Sequence, residues 1–337
     1  MTYDLFIKPI NGLGDKIINI LGAAVYAYYT NFDLKVFLNE NIMLYYFGSL
    51  NFYDLSLFNF NDIKVYNNNN EYNKLRSCDL NQIENALLFI NPDAIVSITP
   101  FCVYQKLKSE NINVSFEEVS NMFLTIAKKI QPSAMVSKCI PIGIEKAYGI
   151  HLRKSDKIKQ NPDIRHEMSF DENIILIEKL LSTISDIIES EETTSFFVTS
   201  EDNEHKNLFC ESIKNIAKEK GKEKNVTILE IDEKLCENIK PIVNYASVLD
   251  LFCLSKCKLI IQGTKYSAFS VVAALIGNEK LINLSKFLER DHLCIIYLWN
   301  SVLNINENKN FCEEKYSVLI NKYKELNVFY GDFYISW

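Results

Sequence analysis

The sequence predicts an α/β fold of two Rossmann-like domains whose parallel sheets face each other across a cleft. Three observations lead there. Short apolar segments alternate with amphipathic helical stretches along most of the chain, the pattern of successive βαβ units. At 337 residues the chain exceeds the size at which a single core stops growing, which favours two domains. Midway, the stretch 131–141 carries Pro132 and Pro141 and interrupts the alternation. The boundary is placed there, giving an N-terminal domain over 1–140, a C-terminal domain over 141–310, and a tail over 311–337 expected to form a helix crossing back onto the first domain.

Residues 4–10 read as a strand, 11–15 as a tight glycine loop, 16–30 as a helix and 34–38 as a second strand. The stretch 39–76 is rich in Asn, Tyr and Phe and includes Asn67–Asn70, a tract suited to turns. Its aromatics serve either core packing or acceptor stacking. Short strands are expected at 87–90 and 94–98. A helix over 115–130 opens on Ser115 with Glu118 three residues on, a capping-box pattern. In the second half, strands are expected at 147–152, 195–199, 226–231, 259–261 and 280–284. Helices are expected at 170–189, 204–220, 247–255 and 266–276. The mixed-charge run 218–224 reads as a solvated face.

Composition excludes several function classes. Hydrophobic residues make up 48% and charged residues 23%, with a net charge of -7, which argues against a general nucleic-acid binder. The nine cysteines are odd in number, irregularly spaced and set largely in apolar runs. Free thiols in a reducing compartment explain them better than a disulfide framework. No Cys/His cluster has zinc-ligand spacing. Neither a signal peptide nor an apolar run long enough for a membrane span is apparent. The expectation is a cytoplasmic protein that meets any membrane-bound acceptor from the surface.

Chemistry concentrates in three segments. In the first, Gly149-Ile150-His151-Leu152-Arg153-Lys154-Ser155-Asp156-Lys157, an apolar strand runs into a ring, a permanent cation and a carboxylate. Anionic ligands of α/β proteins sit outside the carboxyl ends of strands, and Arg is the side chain best shaped for phosphate. Arg153 either binds phosphate or pairs with Asp156, and His151 is either a ligand contact or a satisfied structural residue. The second segment is Gly12-Leu13-Gly14-Asp15, between a strand and a helix N-terminus. Glycines there permit close approach of a ligand to backbone N–H groups, although a plain turn would look the same. The dinucleotide fingerprint is absent, because Ile17 stands where its third Gly would fall. The third segment runs from Asp250 through the strand 259–261 to Thr264, Tyr266, Ser267 and Ser270. Such hydroxyls either cap the next helix or donate to phosphate. Asp250 is either an exposed acid or the acceptor for the two donors on one edge of guanine.

Together these residues resemble the fucosyltransferase superfamily, which includes the α1,2-, α1,6- and protein O-fucosyltransferases and the nodulation fucosyltransferases. The segment His151–Lys157 looks like the His-x-Arg-x-x-Asp motif of that group, and Asp250–Ser270 resembles its later Asp-and-Ser motif. The loop Asn11–Asp15 is similar to the N-terminal Gly-Leu-Gly-Asn loop, with Asp15 replacing Asn. Phe197–Asp202 resembles the strand with an acidic end between the two main motifs. The resemblance implies a GT-B fold, with GDP held by the C-terminal domain and the acceptor by the N-terminal one. It implies an inverting, metal-free transfer of a sugar, fucose first, from a GDP-sugar to a glycan, glycolipid or protein. Arg153 would stabilise the leaving diphosphate, and Asp156 closes the motif beside it. His151 and Asp250 would hold the nucleoside. Gly12, Gly14, Thr264 and Ser267 would line the donor. For the base, Asn161 stands where some relatives have Glu. The candidates are then Asp163, His166, Glu167 and, from the other domain, Asp15.

Two alternatives remain open. The Gly12–Asp15 loop also resembles that of heptosyltransferases, which share the fold and use ADP-heptose. A non-catalytic binding protein on the same scaffold is the other.

Overall fold

A computed structural model of the chain describes residues 3–7, 12–37, 58–59, 64–66, 86–89, 100–153, 158, 168–242, 244–264, 267–277 and 281–283. The chain forms two compact units. One contains Met1–Ser137 and Glu237–Val248, the other Lys138–Cys236 and Leu249–Asn308.

The first unit is built on a parallel sheet of β1 (Tyr3–Ile7), β2 (Phe32–Phe37), β4 (Lys64–Tyr66) and β5 (Ala86–Phe89), in the order β4-β2-β1-β5. The helix α1 (Leu13–Thr30) follows β1 directly and is buried on nearly every side, with Ile17, Ile18, Ile20, Leu21 and Val25 in the core. It ends at Asn31 in the left-handed conformation, φ 58°, a position Asn tolerates well. Two helices pack beside it, α2 (Pro100–Ser109) and α3 (Phe116–Ala127). The hydroxyl of Tyr26 on α1 donates to both carboxylate oxygens of Glu110, just past α2, at 2.8 and 2.9 Å. Burial first, and then this carboxylate, push the Tyr26 pKa well up. The expected capping box of α3 is present, with Ser115 accepting from Glu118 N–H and Glu118 accepting from Ser115 N–H. A two-residue antiparallel pair, β3 (Phe58–Asn59) with β6 (Gln131–Pro132), and the short helix α4 (Ala134–Cys139) complete the described elements up to residue 139.

The second unit carries a five-stranded parallel sheet of β7 (Ala147–Leu152), β8 (Thr194–Ser200), β9 (Val226–Ile228), β10 (Leu259–Gly263) and β11 (Leu281–Asn283). Their order is β11-β10-β7-β8-β9. Counted from β7 this is the Rossmann order 3-2-1-4-5 read from the β9 edge, so strand order reverses between β7 and β10. Helices α5 (Phe170–Ser190) and α6 (Asn203–Glu219) cover one face. Leu180, Ile184, Ile188, Phe209 and Ile213 pack there on Ile150, Leu152, Val198 and Ile261. The four-residue spacing of Leu176, Leu180, Ile184 and Ile188 is the helical period that made α5 legible. The helices α7 (Tyr245–Lys256) and α8 (Ala268–Ile276) follow β9 and β10 in sequence.

The α/β class with two Rossmann-like units, the make-up of the GT-B fold, is the observed one. Three details differ from expectation. The helices α2 and α4 were unforeseen because each is short and opens beside a proline. The strands β3 and β4 fall inside the stretch 39–76, where no strand was expected, and are too short to show a period. Lys222 is no solvated residue: its ammonium donates to the carbonyls of Ile188, Glu189 and Glu191 at 2.8–2.9 Å, capping the end of α5. The expected strand at 94–98, the Asn67–Asn70 tract and the helix at 311–337 lie outside the described residues. The described cysteines 139, 210, 236, 253 and 257 are all free thiols. Among the described residues no helix is long and apolar enough to cross a membrane.

Gly149 lies in the middle of β7 where α7 comes close. A methyl group there would stand 2.8 Å from Leu254 Cδ2 and 2.9 Å from Cys257 Sγ. We expect Gly149→Ala to lower stability by about 1–3 kcal/mol through overpacking. The check is a lower denaturation midpoint at unchanged denaturant slope.

Candidate functional site

The site forms where strand order reverses, at the carboxyl ends of β7 and β10. Parallel pairing sets His151 opposite Thr199 of β8 on one side and Gln262 of β10 on the other. Residues in register across adjacent strands share a face, so these three form one polar row across the sheet. All are buried. Ile150 and Leu152 beside His151, Val198 beside Thr199 and Ile261 beside Gln262 point to the opposite face, into the α5/α6 core.

Every member of the row has a partner. The Thr199 hydroxyl donates to Asp250 Oδ2 on α7. Gln262 Nε2 donates to the Thr264 carbonyl at 3.1 Å. His151 Nδ1 lies 2.6 Å from Ser270 Oγ on α8, with the ring tilted against Phe269 at 5.1 Å between centroids. Burial, and then the positive charge of Arg153, push the His151 pKa down from 6.5 to about 3, so the ring is neutral at physiological pH. Arg153 follows the strand immediately and is partly buried.

Asp250 is not a solvated acid. Burial raises its pKa, opposed by the Thr199 hydrogen bond and by the charge of Lys206 on α6. One turn on, Cys253 is pushed up as well, by burial first and then by the Asp250 charge. That thiol is therefore an inert core group.

The end of β10 leads into α8 through Thr264. Its hydroxyl is fully buried and has no hydrogen-bond partner among the described residues. Ser267 is the N-cap of α8, its hydroxyl accepting from Phe269 N–H at 3.2 Å. A cap satisfies only some of the N–H donors at a helix start, and the rest favour an anion. Gly263 allows the tight fit, since a methyl group there would lie 2.9 Å from both Leu152 and Leu180.

The first unit holds the remaining described candidates. Gly12 is the N-cap of α1 with φ -69°, and no atom of the described residues lies within 4 Å of a would-be methyl group. Among the described residues neither backbone strain nor crowding requires glycine there. Gly14 is buried in the first turn, and Asp15 sits in the same turn, where a carboxylate complements the helix dipole. Asp156 and Asp163 lie outside the described residues, as do Asn161, His166, Glu167 and Tyr266.

Thus His151, Arg153, Asp250, Thr264 and Ser267 gather in one unit, while Gly12, Gly14 and Asp15 belong to the other. Sequence reasoning missed Gln262, the link from Thr199 to Asp250, and Lys16, a fully buried lysine in the first turn of α1. For Gln262 the signal is a lone polar residue inside the apolar run Leu259–Gly263, whereas Lys16 follows Asp15 and, like the Thr199–Asp250 link, carries no such signal. Among the described residues no group of three or more His, Cys, Asp or Glu could hold a metal ion.

No family model matches the chain, and no curated protein matches it. Solved structures do. The fucosyltransferase NodZ from Bradyrhizobium aligns with a TM-score of 0.46 at 12% identity, over 82% of this chain and 94% of that one. An Arabidopsis thaliana FUT1 variant in complex with GDP aligns at 0.49 and 12% identity, over 84% and 70%. POFUT1 in complex with GDP-fucose aligns at 0.43 and 11%, over 82% and 94%. The likeness is to fucosyltransferases. At these identities and scores the site rests on its own geometry.

A neutral buried His151 makes stability depend on pH. Its folded pKa lies below the unfolded value, so its contribution is complete above about pH 6.5 and is lost as the pH falls toward about 3. The loss runs up to about 1.4 kcal/mol per pH unit. Urea unfolding between pH 7 and 4 should therefore fall more steeply for the natural protein than for His151→Gln.

Proposed function

We propose that the second unit binds the diphosphate of a GDP-sugar and that the chain is an inverting, metal-independent glycosyltransferase, with fucose the favoured sugar. One observation carries the reading. At the strand-order reversal lie an arginine, a neutral buried histidine, a buried hydroxyl with no partner among the described residues, and a helix N-terminus. Each suits an anionic oxygen, and open α/β sheets take their ligands at this point.

In the reaction the bond from the sugar C1 to the diphosphate oxygen breaks with its electron pair leaving on GDP. The acceptor hydroxyl oxygen bonds C1 from the opposite face, and its proton passes to a base. Negative charge grows on the β-phosphate as the bond lengthens. Arg153, Thr264 and the α8 N–H groups are the donors placed to meet that charge, and one such donor is commonly worth about 3 kcal/mol. His151 is unsuited as base, because a ring that protonates only near pH 3 takes a proton poorly at neutral pH. The base falls to a carboxylate, Asp15, Asp163 or Glu167, or to His166. Asp250, held by Thr199, is assigned to the guanine edge, whose two adjacent donors a carboxylate can accept together. Gly12 and Gly14 would allow substrate close to the start of α1. The acceptor is a glycan, glycolipid or protein hydroxyl.

Titration with GDP, ADP, UDP and CDP tests the donor. GDP should raise the melting temperature most, with or without a chelator, and preference for ADP would overturn the guanine assignment. With GDP-fucose and an acceptor library, Arg153→Ala and Arg153→Lys should each lose about a hundredfold or more in turnover while remaining folded. Undiminished transfer by either variant would refute the role of Arg153. GDP binding without hydrolysis or transfer of any GDP-sugar would identify a binding protein instead.

A further inference from the structure

His151 and Ser270 hold an unassigned piece of information, the position of one proton. The ring is 6% exposed and Ser270 is fully buried. His151 Nδ1 and Ser270 Oγ lie 2.6 Å apart. Neither residue makes another hydrogen bond among the described residues, so Nε2 is unpartnered there. Ser270 lies one helical turn beyond the cap Ser267 and makes no bond back to the helix carbonyls.

Two arrangements fit the distance. If Nδ1 carries the proton, it donates to Ser270 Oγ. The serine hydrogen is then stranded in a fully buried place without an acceptor among the described residues. If Nε2 carries the proton, the serine hydroxyl donates to the Nδ1 lone pair and its hydrogen is used. The donor left over is then Nε2–H, which is not among the fully buried partnerless atoms of the described residues, whereas Ser270 is fully buried. A donor hydrogen stranded in a fully buried place costs more than one on a ring edge that is not fully buried. The neutral ring allows one proton only.

We infer that Ser270 is a positioning residue: its hydroxyl donates to Nδ1 and fixes the His151 proton on Nε2, so that the ring offers a neutral N–H donor to a ligand oxygen. The inference rests on the nucleotide reading for the identity of the oxygen, a phosphate or ribose oxygen of the donor, but not for the place of the proton. It separates the labour within the His151-x-Arg153 pair. Arg153 supplies charge, and His151 supplies a directed hydrogen bond that adds no charge to a buried spot.

The proton can be seen directly. A two-bond proton–nitrogen correlation spectrum of the full chain, labelled with 15N-histidine, distinguishes protonated from unprotonated ring nitrogens without any ligand. The four histidines are assigned by comparison with His151→Gln. The expected pattern for His151 is protonated Nε2 and bare Nδ1, and the reverse pattern would overturn the inference. In Ser270→Ala the fixed pattern should give way to a mixture or to the other form, and Ser270→Thr, which keeps a hydroxyl, should restore it. GDP is the binding probe. Ser270→Ala should weaken GDP about tenfold, as expected for loss of one hydrogen bond to a charged group, and Ser270→Thr should recover most of that. A changed tautomer in Ser270→Ala with unchanged GDP affinity would refute the donor role. If the natural protein binds no GDP at all, the nucleotide reading fails while the spectrum still decides the proton.

Discussion

Strand β7 pairs in register with β8 along one edge and with β10 along the other, and the groups of the second-unit site take their places from that pairing. Side chains alternate along a strand, so a slip of one residue would turn the whole set over. His151 would then face the α5/α6 core, and Ile150 and Leu152 would face the polar layer. The register is held by that core. Leu180, Ile184, Phe209 and Ile213 accept apolar residues from β7, β8 and β10 at once. Hydrophobic burial on one face thereby fixes a polar pattern on the other, and the same strands serve stability and chemistry with alternate residues.

A buried polar row costs free energy unless its members are satisfied. Here the satisfaction is local and incomplete. Asp250 is met by Thr199, Gln262 by the Thr264 carbonyl, and Nδ1 of His151 by Ser270. The Thr264 hydroxyl and Nε2 of His151 remain without partners among the described residues. Both belong to the last turn of chain before a sheet edge where ligands of such folds bind. The fully buried Thr264 hydroxyl and the open ring edge of His151 are groups that a ligand's oxygens would complete. The row would thus be less than fully stable alone and better satisfied when occupied.

The apolar strands and long helices were legible in the sequence because their period is set by the faces they bury. The capping box at Ser115 and Glu118 was legible too, and an identical one at Ser169 and Glu172 opens α5. The helix beginning at Pro100 illustrates what a short element hides. Proline in the first helical position is a start signal, but ten residues give too few turns for a convincing stripe. The site divides similarly. His151, Arg153 and Asp250 stood out through their residue types and motif context. Gln262 did not, and Ser270 stood out only as one of four hydroxyls, because their meaning lies in register and packing between segments more than a hundred residues apart. No spacing along the chain encodes that Gln262 lies opposite His151, nor that Ser270 reaches its ring.

The opposite end of the same strand explains why the site end can remain incomplete. Tyr148 lies three residues before His151, and its hydroxyl donates to Glu191 at 2.6 Å. Lys258, just ahead of β10, pairs with Glu191 at 2.9 Å and lies over the Tyr148 ring at 3.8 Å. Glu191 is the C-cap of α5, whose last carbonyls are capped in turn by Lys222. Three elements are thus tied together at the amino ends of β7 and β10, where charges meet each other and backbone carbonyls. A geometry precise enough to place a donor N–H against a phosphate needs rigid support. The Tyr148–Glu191–Lys258 cluster supplies it from below, leaving the groups above to be completed by what they bind.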